Sequence, residues 1–89
     1  MSHDGIVMWA ISSRPRLSHA AFRALTTFAM LANDVGRSPL VPFEAALAEN
    51  NHMDETEFRA AMFELKARGL IKETDDGYVQ LLKIPEEFL

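Results

Sequence analysis

The sequence predicts a small α+β domain, with three helices and a small antiparallel sheet that ends in a hairpin. Two segments, residues 18–32 and 54–65, carry apolar residues at the spacing of an amphipathic helix. Two short apolar runs, 70–73 and 78–82, flank an Asp-Gly pair, which is a strong signal for a β-hairpin. Residues 1–89 are therefore interpreted as one domain, with a flexible start at 1–5 and a tail at 83–89.

The first third of the chain predicts a strand followed by a long helix. Residues 5–11 (GIVMWAI) are rich in β-branched and aromatic side chains and favour a strand. Ser18 suits the N-cap of the helix, and Leu17 and Phe22 have the spacing of a hydrophobic staple. Asn33 to Gly36 ends the helix, because Gly36 can adopt a positive φ.

This helix is expected to be the central and most buried one. Its apolar face comprises Phe22, Leu25, Phe28, Ala29, Leu31 and Ala32. Trp9 is expected to pack beneath it as a core aromatic. Four methionines are expected to fill the core: Met8, Met30, Met53 and Met62.

The middle of the chain predicts an edge strand, a second helix and the start of a third. Residues 37–41 contain Pro39, which restricts them to an edge strand. Pro42 fits the first position of a helix over 42–50, and residues 50–52 (NNH) form a turn. Asp54 is predicted to cap the third helix, with Glu57 completing a pair like a capping box, and Gly69 to end it.

The third helix has two faces of different chemistry. At 3.6 residues per turn, four apolar residues form a core stripe: Phe58, Ala61, Met62 and Leu65. The opposite side carries Thr56, Arg59, Ala60, Phe63 and Ala67. Phe63 is thus a large aromatic predicted to point outward. Two alternatives explain it: burial by the hairpin or by the tail (Phe88, Leu89), or contact with another protein or a second copy.

Charge is distributed unevenly along the chain. Residues 1–40 hold four arginines and two aspartates, whereas residues 41–89 hold five basic and eleven acidic residues. The overall formal charge is −4. Domains that bind nucleic acid usually carry a basic footprint on the binding half, so this polarity disfavours direct DNA binding.

Several chemistries are not predicted. The chain has no cysteine, and His3, His19 and His52 are dispersed, so we expect no disulfide and no metal site. No catalytic constellation and no phosphate-binding glycine loop can be assembled, so we expect no enzyme and no cofactor. The apolar run 6–11 is too short for a signal peptide or a membrane span, which predicts a cytoplasmic protein without a membrane partner.

The element order, strand, helix, helix, turn, helix and hairpin, is that of a winged helix-turn-helix domain. Four short motifs carry a closer resemblance: residues 7–10 (VMWA), 17–18 (LS), 32–36 (ANDVG) and 65–71 (LKARGLI). Together they resemble the N-terminal domain of phage and plasmid replication proteins over most of residues 6–82. Such domains normally precede a larger initiator region. This chain ends at the wing, so we do not expect a full replication initiator.

The resemblance also shows where this chain differs. In that family the third helix usually carries Arg or Lys near its start and along its outer side, and here these positions are Glu55, Thr56, Ala60 and Phe63. The turn before the helix has His52 where the family favours Gly, and the wing tip, often basic, is Asp75-Asp76. The lost cations predict much weaker phosphate binding.

The sequence therefore predicts a small phage or mobile-element protein that binds a protein target through an acidic surface resembling DNA. The expected target is a basic surface that normally holds nucleic acid, as in host defence complexes that anti-CRISPR proteins inhibit. The predicted binding residues are Glu44, Glu49, Glu55, Thr56, Glu57, Arg59, Ala60, Phe63, Asp75 and Asp76. If the protein is encoded by a phage, its location is the cytoplasm of the bacterial host.

The alternative is a DNA-binding regulator or replication accessory protein that acts as a dimer. Its predicted contacts are Thr56, Arg59, Lys66 and Lys72. A third interpretation is a module that only associates with itself. For Asp54, Glu55 and Glu57 a structural role is also open, because acidic residues stabilise the N-terminus of a helix. Asp75 and Asp76 can likewise serve only as turn formers.

Overall fold

The computed structural model describes residues 3–12, 16–33, 35–39 and 54–84, without the side chains of His3 and Asp4. These residues form an α+β domain. Its described helices are α1 (His3–Ser12), α2 (His19–Leu31) and α3 (Glu55–Ala67), and its strands are β1 (Arg37–Pro39), β2 (Ile71–Glu73) and β3 (Tyr78–Leu81). The strands make one antiparallel sheet in the order β1-β3-β2. The predicted helix over 42–50, the turn at 50–52 and the tail residues 85–89 lie outside the described residues.

The predicted strand over 5–11 is wrong, because these residues belong to helix α1. Ile6, Trp9 and Ala10 are buried at the i, i+3, i+4 spacing of one helical face, and α1 packs against α2 through it. A short run of apolar residues has no periodicity that separates a strand from a buried helix. Packing against α2 therefore outweighs the strand preference of Ile6, Val7 and Trp9.

Helix α2 is central, as predicted, since it packs against α1, α3, β1 and β3. Ser18 is its N-cap, and the Ser18 hydroxyl oxygen accepts a hydrogen bond from the Ala21 N–H at 3.2 Å. The chain then turns into β1 around Asn33, whose side-chain oxygen accepts from the N–H groups of Val35 (3.1 Å) and Arg37 (3.0 Å). Gly36 has φ 77°, as the sequence predicts.

The start and the end of α3 and the hairpin that follows it agree with the prediction. Asp54 is the N-cap, and its carboxylate accepts from the Glu57 N–H at 2.8 Å. Gly69 has φ 70°, and the N–H of Leu70 donates to the Leu65 carbonyl at 3.0 Å, which ends the helix. Residues with a side chain rarely adopt that φ, so glycine suits this position. Strands β2 and β3 then pair with Lys72 opposite Gln80.

The core lies between α1, α2, α3 and the inner face of the sheet. Phe28, Leu25, Leu65 and Val79 are fully buried within it. The predicted stripe of α3 (Phe58, Ala61, Met62 and Leu65) is buried throughout. Met8, Met30 and Leu31, expected in the core, are instead about half exposed, because they lie on the sides of α1 and α2 that face away from it. Within the part of the chain that the structure describes, no helix is long and apolar enough to cross a membrane.

Candidate interaction surface

Helix α3 presents a narrow strip of uncharged side chains to solvent. We call Thr56, Ala60, Phe63 and Ala67 the outer strip. At 3.6 residues per turn these four lie within about 60° of one another around the helix axis. All four are exposed, and Phe63 is 76% exposed, more than any other large apolar side chain described. None of the described residues buries it, so its burial by the hairpin is excluded.

One side of the outer strip faces the hairpin, and we call Glu55, Arg59 and Lys66 the hairpin flank. The Arg59 guanidinium pairs with Glu55 at 2.7 Å, one helical turn away. Lys66 reaches across to Glu73 of β2, at 2.8 Å between ammonium and carboxylate. Both cations on this flank are therefore partly neutralised by carboxylates of the same chain.

The other side of the outer strip faces the start of α2, and we call Glu57, Glu64 and Arg68 the α2 flank. The Ser18 N–H donates to a Glu64 carboxylate oxygen at 2.9 Å, and the Arg68 guanidinium lies 3.8 Å from the same oxygen. The hydrogen bond from the Ser18 backbone lowers the pKa of Glu64 most, followed by the Ser18 hydroxyl and by Arg68. Glu64 thus stays ionised and links α3 to the N-terminus of α2.

The start of α3 is acidic, and its three carboxylates have different roles. Asp54 serves as the N-cap, and Glu55 pairs with Arg59. Glu57 is exposed, and no ion pair joins it to another residue in the described part of the chain. Stabilisation of the helix N-terminus therefore accounts for Asp54, whereas the Glu57 carboxylate faces solvent.

The hairpin turn carries the second acidic group. Asp76 accepts hydrogen bonds from the Thr74 hydroxyl and from the Arg37 guanidinium. That guanidinium also lies over the Tyr78 ring, 4.6 Å from its centre. The Thr74 hydroxyl lowers the pKa of Asp76 most, and Arg37 lowers it further. Asp76 therefore links the hairpin turn to Arg37 of β1, and both Asp75 and Asp76 are exposed.

The structure brings together only part of the predicted protein-binding set. Glu55, Thr56, Glu57, Arg59, Ala60 and Phe63 lie on or beside the outer strip, whereas Asp75 and Asp76 belong to the hairpin turn next to Arg37. Glu44 and Glu49 lie outside the described residues.

The predicted DNA-binding set is also divided. Thr56, Arg59 and Lys66 are exposed on α3, while Lys72 lies beside Gln80 on the sheet. Since Ile71 points into the core, Lys72 points to the opposite, outer face of the sheet. These four residues therefore do not form one continuous surface on α3.

The sequence analysis does not predict two contacts of this region. Glu64 contacts Ser18 from 46 residues away, and Arg37 contacts Asp76 from 39 residues away. No local pattern marks the first contact. The second follows only once β1 is known to pair with β3, with Arg37 opposite Gln80.

Among the described residues no group of histidine and acidic side chains is arranged to hold a metal ion. Comparisons with protein-family models, curated proteins and solved structures gave no match.

Proposed function

We propose that this chain is a winged helix-turn-helix protein of phage or mobile-element type that binds another protein through α3. The order α2, β1, α3, β2, β3 and the sheet order β1-β3-β2 support this fold. In this interpretation the hairpin of β2 and β3 is the wing, and α1 is an additional helix packed on α2. The proposed activity is binding, without catalysis and without a cofactor.

The exposure of Phe63 carries the proposal. A phenylalanine that is 76% exposed at the centre of a helix face buries little surface within the described fold. Exposed aromatics flanked by small residues commonly anchor protein interfaces, because a partner buries a large rigid area at little entropic cost. Ala60 and Ala67 on either side leave room for such a partner to approach the helix.

The charges around Phe63 favour a protein over a nucleic acid. Glu55 and Glu57 stand at the helix start, where a phosphate backbone would be repelled, and Arg59 and Lys66 are paired with Glu55 and Glu73. The phosphates of a nucleic acid would have to displace those carboxylates before they could contact Arg59 and Lys66. A basic protein surface would instead be attracted by the exposed Glu57 and by the partly neutralised Glu55.

The target class we propose is a basic groove that normally holds nucleic acid, as in the host defence complexes that anti-CRISPR proteins inhibit. The contacts we assign to it are Glu55, Thr56, Glu57, Ala60 and Phe63, with Arg59 at the edge. Asp75 contributes only if the target also reaches the hairpin turn.

The test mixes the full chain with purified RNA-guided nuclease complexes and follows comigration on a sizing column. We expect a complex with one of them, its loss with Phe63→Glu or with the double variant Glu55→Lys and Glu57→Lys, and its retention with Met8→Glu. Met8 is the matched control, since it is also an exposed apolar side chain on a helix, at 58%. If every complex elutes separately from the unchanged chain, the proposed target class is wrong.

A gel shift with duplex DNA separates this proposal from the DNA-binding alternative. We expect no retardation near physiological salt, and the Glu55→Lys, Glu57→Lys variant should gain weak binding that fades as salt is added. Tight binding by the unchanged chain at that salt, lost on Lys66→Ala or Lys72→Ala, would instead establish a DNA-binding regulator.

A further inference from the structure

The outer strip and its flanks are complementary to themselves when the helix is reversed. The strip residues have the spacing 4, 3, 4 along the chain, which is the seam that two packed helices share. This spacing is symmetric about its midpoint, between residues 61 and 62. Reversing one helix about that point places Phe63 opposite Ala60 and Thr56 opposite Ala67.

The opposed side chains differ in size in the way that close packing needs. In the reversed arrangement each exposed phenylalanine meets an exposed alanine of the other helix, and this contact occurs twice. Large side chains opposite small ones let two helices interlock without voids. A parallel pair would instead place Phe63 against Phe63 and Ala60 against Ala60, which separates the helices at one level and leaves a gap at the next.

The flanks show the same self-complementarity in charge. Each flank begins with an acid and ends with a base: the hairpin flank runs from Glu55 to Lys66, and the α2 flank from Glu57 to Arg68. In an antiparallel pair related by a two-fold axis, like flanks meet. Glu55 then lies within about 3 Å, along the helix axis, of Lys66 of the second copy, and Glu57 has the same offset from Arg68.

A parallel pair brings opposite flanks together and reverses this advantage. It would place Glu55 near Glu57 of the second copy and Lys66 near Arg68. Like charges at an interface oppose association, so the flanks specify the antiparallel orientation. The ion pair between Lys66 and Glu73 within each chain remains compatible with the antiparallel orientation, since the Lys66 ammonium can contact Glu73 and a second carboxylate at once.

We infer that a second copy of this chain occupies the outer strip, forming a symmetric dimer through antiparallel packing of α3 on α3. The contact is isologous, because the same patch of both copies is used. It goes beyond the proposed function, since it requires no other protein. When a protein target uses the same strip, the target and the second copy compete for it.

The dimer is expected to be weak and to dissociate on dilution. Helix α3 has 13 residues, so the contact is about 20 Å long and lies at the small end of protein interfaces. Sedimentation velocity of the full chain from about 10 µM to about 1 mM covers the expected range of dissociation constants. The mean mass should rise from that of a monomer toward twice that value.

Two variants test which residues form the contact. Phe63→Glu should raise the dissociation constant at least about tenfold, because it removes the central side chain and adds repulsion near the two-fold axis. Met8→Glu adds the same charge on α1 and should dimerise like the unchanged chain. Far-ultraviolet circular dichroism checks that both variants keep their helices.

A mixing experiment tests the orientation. One variant carries Glu55→Lys with Glu57→Lys, and another carries Lys66→Glu with Arg68→Glu. Each alone should stay monomeric, and an equimolar mixture should form a heterodimer about as tight as the original dimer, because the same flank positions attract with two of the four contacts reversed in sign. A parallel pair would instead give a heterodimer much tighter than the original dimer, since its flank contacts are repulsive in the unchanged chain.

Two results would overturn the inference: a chain that stays monomeric up to about 1 mM, or a dimer that survives Phe63→Glu. A mixture that binds much more tightly than the unchanged chain, or one that stays monomeric while the unchanged chain dimerises, would reject the antiparallel arrangement of the flanks. Since no target protein is present, none of these results decides the proposed function, which is measured separately on the sizing column.

Discussion

Phe58 and Phe63 are the same type of residue on the same helix, five positions apart, and they have opposite environments. Phe58 is 3% exposed and packs in the core, whereas Phe63 is 76% exposed. Five residues rotate the helix by about 140° beyond a full turn, which carries the side chain from one face to the other. The comparison separates the two faces of α3: its inner face holds the fold together, and its outer face lies in solvent.

The largest effect is expected when each of the two phenylalanines is replaced by alanine in turn. Phe58→Ala should lower the free energy of unfolding by about 3–5 kcal/mol, because it leaves a cavity in the core beneath α3. Phe63→Ala should change it by less than about 0.5 kcal/mol when measured on the monomer, in dilute solution. Urea denaturation followed by circular dichroism measures both. Similar losses for the two variants would show that Phe63 also packs within the fold.

The next test concerns the start of α3, where the Asp54 carboxylate caps the helix and the Glu57 carboxylate is exposed. Asp54→Ala removes the acceptor of the Glu57 N–H and should cost about 1 kcal/mol of stability. Asp54→Asn keeps an acceptor and should cost much less. Thermal unfolding of the two variants side by side checks this, and an equal loss in both would show that the charge matters more than the cap.

Glu64 tests whether a flank residue also stabilises the fold. Its pKa is lowered from the ordinary value of 4.5 by its contacts with Ser18 and Arg68, so its ionised form is favoured in the folded protein. This stabilisation is present above pH 4.5 and is lost as the pH falls through the lowered pKa. Glu64→Gln can still accept from Ser18, so it should cost only about 0.5 kcal/mol at neutral pH.

The measurement for Glu64 is the difference in unfolding free energy between Glu64→Gln and the unchanged chain, taken from neutral pH downward. The difference should shrink toward zero in acid, as the carboxyl group of the unchanged chain becomes protonated. Glu57→Gln is the matched control, because Glu57 lies on the same flank without an ion pair among the described residues. A difference that grows in acid would contradict the assignment.

The smallest expected effect is that of the ion pair on the hairpin flank. Arg59 and Glu55 are both 70% exposed, so Arg59→Ala should change stability by no more than about 0.5 kcal/mol. Chemical denaturation at low and high salt measures it. A larger loss would mean that the exposed charges of α3 contribute to the stability of the fold.

Local signals predicted the elements that local interactions specify. Ser18 and Asp54 cap α2 and α3, Gly69 ends α3, and Asp-Gly closes the hairpin, all as the sequence indicates. Each of these features depends on residues a few positions apart, and the backbone geometry of a cap or a turn follows from residue type.

The first helix shows where such signals fail. Residues 5–11 have a strand composition, yet they form part of α1 because Ile6, Trp9 and Ala10 complete the core against α2. Whether a short apolar run becomes a strand or a helix depends on the surface available to bury it, and that surface is made by residues far along the chain.

The sequence by itself determined the phase of α3, and hence that Phe58 points inward and Phe63 outward, since a helix repeats every 3.6 residues. Only the tertiary structure decided which charges around Phe63 and in the hairpin turn are paired. Lys66 meets Glu73, Glu64 meets Ser18, and Asp76 meets Arg37. These partners are distant in sequence or on different elements, so their pairing depends on how the helices and the sheet pack.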